Sequence, residues 1–163
     1  MPRDATTQDL WTFALACYAR PGVEDACLQL QASGADVCML LCGAWLQARG
    51  IACTQPRVEQ LRAVAEHWQR EVVRPLRDLR TGWREAAAGD DELEALRRAV
   101  KTLELEAEKT LLARLQHASR QWRTGTRRHN WLERLAPSVS RSCEPSLKRL
   151  REAAEETQLS LAG

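Results

Sequence analysis

Strand signals are nearly missing from this chain of 163 residues: β-branched residues never alternate with polar ones for long, and no Asn-Gly hairpin turn occurs. Long apolar runs are missing too. The most apolar stretch, Val37–Leu46, is about half of what a bilayer span requires, so no membrane segment is expected. "MPRDATTQDL" has no apolar run leading to a small-residue cleavage site, so no signal peptide is expected and the cytoplasm is the expected compartment. Cys-x-x-Cys pairs are absent as well. Cysteines stand at 17, 27, 38, 42, 53 and 143, and without an export signal they read as thiols. Zinc sites usually draw on closely spaced Cys or His pairs projecting from turns. Here Cys17, Cys27, Cys38 and Cys42 fall inside apolar helical patterns, where a cysteine serves as a small buried hydrophobe. No metal ligand and no cofactor is assigned. Catalytic patterns are equally scarce. His67, His117 and His129 are scattered, and no G-x-S-x-G, P-loop or Rossmann glycine pattern occurs, so the chain is expected not to be an enzyme.

Helical punctuation is plentiful. Thr6 or Thr7 can cap a first helix carrying Leu10, Phe13, Ala14, Cys17 and Tyr18 at spacings of three and four. Pro21-Gly22 breaks it, and Val23, Cys27 and Leu30 form the buried stripe of a second, followed by Gly34 at the left-handed position. Asp36 then caps a helix over 37–49 that is apolar almost all round, which belongs at the centre of a bundle. Thr54 caps the next, with Pro56 in its first turn. Val58, Leu61, Trp68 and Val72 share a face until Pro75 kinks or ends the helix. "AAAGDDELEAL" restarts the chain, Asp90 or Asp91 capping a long helix to about Trp122. Leu93, Leu96, Val100, Leu103, Ala107 and Leu111 make its stripe, and Leu105, Leu112 and Leu115 widen it to suit contact on two sides. The expected fold is an all-α, single-domain helical bundle with a long kinked hairpin (55–88 and 91–122) around the buried helix at 37–49. Residues 1–123 form the bundle. Residues 124–163, with a short helix at 130–135 and a thin apolar stripe beyond, are expected to be an appendage ordered in part or against a partner.

Charge is uneven. Residues 1–83 hold nine basic and nine acidic side chains, whereas 114–141 hold seven arginines against Glu133 alone. Two surfaces stand out. Arg70, Arg74 and Arg77, at spacings of four and three beside Pro75, form a candidate docking face, since arginine and tryptophan are enriched at interface hot spots. Arg120, Trp122, Arg123, Arg127, Arg128 and Trp131 combine cations with aromatics around a Thr-Gly-Thr turn, as stacking on single-stranded nucleic acid requires. No RNP-like motif, zinc finger or helix-turn-helix spacing accompanies them.

"DLWTFALACYARPGVEDACLQLQ", "GADVCMLLCGAWL", "WQREVVRPLRDLR" and "LRRAVKTLELEAE" occur in that order over residues 9–115. In them the chain resembles a family of small helical proteobacterial proteins of unknown function. The resemblance implies a cytoplasmic helical protein and brings no activity, cofactor or catalytic residue. Cys38 stands where the family pattern has a small polar residue, which argues against a required ligand there.

The expected function is a non-enzymatic cytoplasmic adaptor or regulatory protein that binds a protein partner through these arginine and tryptophan surfaces. The alternatives are nucleic-acid or ribosome association through residues 120–131, and a metal or redox protein built on the cysteines. Self-association through the two-sided long helix is a further expectation, and membrane association is not expected.

Overall fold

The computed structural model describes residues 9–125, 129–136 and 141–163. Thr6 and Thr7 lie outside them, and the cap seen on the first helix is Asp9, which accepts from the Trp11 N–H at 3.2 Å. α1 (Leu10–Tyr18) and α2 (Val23–Ala32) form a short pair around Pro21-Gly22. Gly34, at φ 98°, turns the chain into Asp36, whose carboxylate accepts from the Met39 N–H and caps α3 (Val37–Ala48). Every residue of α3 from Cys38 to Leu46 is buried. Burying each large apolar side chain of this kind contributes about 1.5–3 kcal/mol, so α3 draws the rest of the fold around it.

α4 (Gln55–Trp68) passes through a π turn (Gln69–Val73) into α5 (Arg74–Gly82). Pro75 has no N–H to give the Glu71 carbonyl, and its ring crowds that carbonyl. The chain widens one turn ahead, so that the Arg74 N–H bonds the Gln69 carbonyl five residues back. The helix thus continues past the proline through a π turn instead of ending. After α6 (Arg84–Ala87), Asp90 accepts from the Leu93 N–H at 3.0 Å and starts α7 (Asp91–Ser119). At 29 residues α7 is roughly 44 Å long and returns along α5 and α4 as the second arm of the hairpin. Thr124 pairs with Ile51 in an isolated antiparallel bridge, and there is no strand among the described residues.

α8 (Trp131–Leu135) and α9 (Glu144–Ala162) correct the expected boundary at residue 123. Trp131, Leu132, Leu135, Leu150, Ala153 and Ala154 belong to the same buried cluster as Phe13, Leu40, Trp45 and Leu111. The reason is α3 itself: α1, α2 and the hairpin leave part of its surface open, and α8 and α9 close it. Gly43 lets α8 come close, because a Cβ there would stand 2.6 Å from Leu135 Cδ1 and 3.4 Å from Trp131 Cβ. The thin stripe of α9 is enough because Ala153, Ala154 and Thr157 allow a close approach to α1, α2 and α3.

Candidate interaction surface

The two helices of the hairpin are held together by charge on one side. Glu104, buried on α7, accepts from Arg77 Nε at 3.0 Å and Arg80 Nε at 2.6 Å, and Arg77 also reaches Glu108 at 3.0 Å. Arg80's own carbonyl accepts from Arg97 Nε at 3.0 Å. Burial alone would push the Glu104 carboxyl up, but the Arg80 and Arg77 guanidinium groups overcome this and hold it below the usual carboxylate range. Glu108 goes the other way: burial raises it more than Arg77 lowers it.

The opposite side of the hairpin is apolar and open. Near the root, a shallow groove of about 660 Å³ runs along the α4–α7 seam between Val64, His67, Ala113, Arg114 and His117. A second, of about 410 Å³, continues it toward the tip between Trp68, Val72, Pro75, Leu76 and Leu103, with Thr110 common to both. Trp68 sits where they join. Its Nε1 donates to the Ala107 carbonyl at 2.8 Å, and the Arg114 guanidinium lies 3.9 Å over its ring. Beyond Leu103 the face carries Leu79 and Leu96. These three leucines are 55%, 42% and 57% exposed, and α5 buries no residue at all. The stripe expected to pack as a unit therefore splits: Ala107 and Leu111 are buried, while Leu96 and Leu103 face out. Arms longer than the bundle pack on each other there and leave Leu79, Leu96 and Leu103 exposed.

The residues singled out from the sequence scatter. Arg70 is exposed and paired with Glu71 at 2.8 Å. Arg74 is exposed at the rim of a cleft, and Arg77 turns inward to Glu104 and Glu108. Arg120 and Arg123 are exposed, and Arg120 donates to the His117 carbonyl at 2.7 Å. Arg127 and Arg128 lie outside the described residues. Trp131 is fully buried, with Nε1 donating to the Ile51 carbonyl at 2.7 Å, and Trp122 stacks on it with ring centroids 5.7 Å apart. Arg57 lies 4.9 Å over the Trp122 ring. Each of the two rings already has a protein neighbour on its face, so neither is a ready platform for a base.

The sequence reading passed over a cleft of about 640 Å³ on the other side of the hairpin root. Trp11, Leu15, Tyr18, Leu41 and Leu105 wall it, and Asp36, Gln69, Arg77 and Glu108 lie at its polar end. The π turn delivers Gln69 to Asp36, its Nε2 donating to Oδ1 at 3.1 Å. Burial raises the Asp36 carboxyl above its ordinary value, against hydrogen bonds from Met39, Cys38 and Gln69 and the charge of Arg77. The six cysteines carry no disulfide, and burial pushes Cys17 up to about 11 and Cys27 and Cys42 up to about 12. Cys38 is likewise raised well above its ordinary value, chiefly by burial. Among the described residues no three His, Cys, Asp or Glu side chains are placed to hold a metal ion, and no helix is long and apolar enough to cross a membrane.

The sequence signal for the charged side of the hairpin is reciprocal spacing. Arg77 and Arg80 are three apart on one arm, while Glu104 and Glu108 are four apart on the other, so their side chains share facing surfaces. No curated protein and no solved structure matches the chain. Residues 9–115, from the cap of α1 to the buried Leu115 of α7, match the family described as protein of unknown function DUF2390, and the chain belongs to that family.

Proposed function

We propose that this chain is a non-enzymatic adaptor or regulatory protein of the proteobacterial cytoplasm that binds a protein partner along the open face of its α4–α5/α7 hairpin. The observation that carries this reading is the continuous trough from His117 to Leu103, extended by Leu96 and Leu79, with Trp68 and Arg114 fixed at its centre. Contiguous apolar surface rimmed by polar groups marks a protein-binding site more often than scattered leucines do. Tryptophan and arginine are the residues that most often dominate such interfaces. Arg114, Glu71 and Glu106 supply the polar groups of the trough, Arg74 lies at the cleft on the other side, and Arg77 acts from inside by holding the arms together. Nucleic-acid binding is the weaker reading, because Trp131 is buried and Trp122 is stacked on it.

The test is affinity capture from native cytoplasm on immobilised full chain, with and without nuclease, using wild type and Leu96→Glu/Leu103→Glu. The expected partner survives nuclease and is lost with the double variant. A partner released by nuclease, or one retained by the double variant, overturns the proposal.

A further inference from the structure

α1 carries no charged residue: its sequence is "LWTFALACY". Leu10, Phe13 and Cys17 on its inner face belong to the core. The outer face of such a helix is ordinarily polar, yet here it presents Trp11, Leu15 and Tyr18 at spacings of four and three. These three wall the cleft of about 640 Å³ at the hairpin root, together with Leu41 of α3 and Leu105 of α7. Leu15, Tyr18 and Leu105 are all left exposed, so large apolar side chains from two helices open onto one hollow. Small-molecule sites have this size and this make-up, an apolar lining with a few converging polar groups.

The polar end of the cleft offers acceptors. Gln69 is 6% exposed and gives Nε2 to Asp36, and among the described residues no donor reaches its Oε1. Glu108 accepts from Arg77 through Oε1, and among the described residues no hydrogen bond is made to its Oε2. The inner cation is already engaged, because Arg77 divides its guanidinium between Glu108 and Glu104, and Glu104 also takes Arg80. Arg74 and Asp78, both exposed at the rim, offset each other. Lys109 lies 5.4 Å over the Trp11 ring and is not part of the lining. Among the lining groups Asp36, Asp78 and Glu108 thus outnumber Arg74 and Arg77. Burial raises both the Asp36 and the Glu108 carboxyl against the pull of Arg77, and the charge of Asp36 adds to the rise at Glu108. Negative charge at this end is under-compensated, so a further anion is disfavoured there and a cation is favoured.

We infer that this cleft is a binding site for a small organic cation, its apolar body seated on Trp11, Leu15, Tyr18 and Leu105 and its ammonium head directed to Glu108 and Gln69. The apolar wall supplies affinity for the body and sets no preference among heads. The head is selected by Glu108, since a hydrogen bond between two charged groups is about twice as strong as one between neutral groups. The site lies across the hairpin from the trough and does not depend on it.

The experiment is a proton–nitrogen NMR titration of the full chain at neutral pH, with three probes that share an indole body. Tryptamine ends in an ammonium, tryptophol in a hydroxyl and indole-3-propionate in a carboxylate. Tryptamine is expected to shift the amides of Leu15, Tyr18, Cys38 and Leu105 together, saturating at about millimolar concentration, as a probe of this size allows. Tryptophol is expected to bind roughly tenfold more weakly, and indole-3-propionate more weakly still. Glu108→Gln is expected to bring tryptamine down to the level of tryptophol and to leave tryptophol unchanged. Leu15→Gln, at an exposed position, is expected to weaken both, whereas Leu96→Glu/Leu103→Glu is expected to change neither. Indole-3-propionate that binds as tightly as tryptamine, or tryptamine that is indifferent to Glu108→Gln, overturns the cationic head. No shifts with tryptamine up to about 10 mM, or shifts centred outside the cleft, overturn the site itself.

Discussion

Arg77 of α5 donates to Glu104 of α7 across 3.0 Å, and the second oxygen of the same carboxylate takes Arg80 at 2.6 Å. One buried acid thus joins two turns of the facing arm, at the level where the hairpin leaves the bundle. This pairing lets the outer half of the hairpin hold its shape while burying almost no apolar surface. Glu104→Gln keeps the size and removes the charge, leaving two partly buried guanidinium groups short of a partner. It is expected to cost about 2 kcal/mol in urea unfolding and to speed hydrogen exchange over residues 74–100 more than in α3. An unchanged unfolding midpoint would remove the network from the account of how the arm is held.

The carboxylates around that network have opposite pH dependences. Asp36 and Glu108 titrate above their ordinary 3.8 and 4.5, chiefly through burial, so just above those values the folded chain binds more protons than the unfolded one. Stability therefore falls as pH rises through that window. Glu104 titrates below 4.5, so its contribution is complete above that value and is lost as pH falls through the folded one. Urea midpoints taken from about pH 3 to pH 7 should show Asp36→Asn and Glu108→Gln flattening the decline on the neutral side. Glu104→Gln should flatten the loss on the acid side. The same change in slope for all three variants would contradict these directions.

Thiol chemistry separates the packing and redox readings of the cysteines. Cys17, Cys27, Cys38, Cys42 and Cys143 are buried, and burial raises the first four well above the range in which a thiolate forms at neutral pH. Cys53 is only half-buried, and its shift is also upward. A thiol-reactive chromophore at neutral pH should modify Cys53 first and the others only as the chain unfolds. Fast modification of Cys38 or Cys42 in the folded chain would reopen the redox reading.

Deleting residues 124–163 tests the single core. Trp131 is fully buried and tied to Ile51, and α9 contributes Leu150, Ala153 and Ala154 to the interior. The truncated chain is expected to lose its cooperative thermal transition, because most of one side of α3 would be exposed. Trp131→Ala in the full chain is expected to cost about 3–5 kcal/mol. A 1–123 fragment that melts cooperatively near the full-length temperature would restore the boundary expected from the sequence.

The elements that could be read directly from the sequence are those governed by local chemistry. Asp36 and Asp90 cap where expected, Gly34 takes the left-handed turn, and the all-apolar α3 lies at the centre. What the sequence hid depends on neighbours. Leu96 and Leu111 share one periodic stripe, yet only Leu111 reaches the bundle, because the stripe outruns its cover. Ala153 and Ala154 are weak signals in a sequence and strong packers when two helices come close. Arg77 and Arg70 look alike on a helical wheel, but Glu104 on the other arm draws only Arg77 inward. The Asp36–Gln69 contact depends on a π turn that Pro75 provokes, and residue spacing counted at 3.6 per turn does not foresee it.

The most direct test of the binding face is site-specific photo-crosslinking in living cells. A photoreactive side chain at Leu103 is compared with one at Leu159, which is 76% exposed on α9, far along the chain from the hairpin. The account predicts a discrete protein adduct at Leu103, resistant to nuclease and abolished by Leu96→Glu, with none at Leu159. No adduct at Leu103, or the same adduct at both positions, would contradict it.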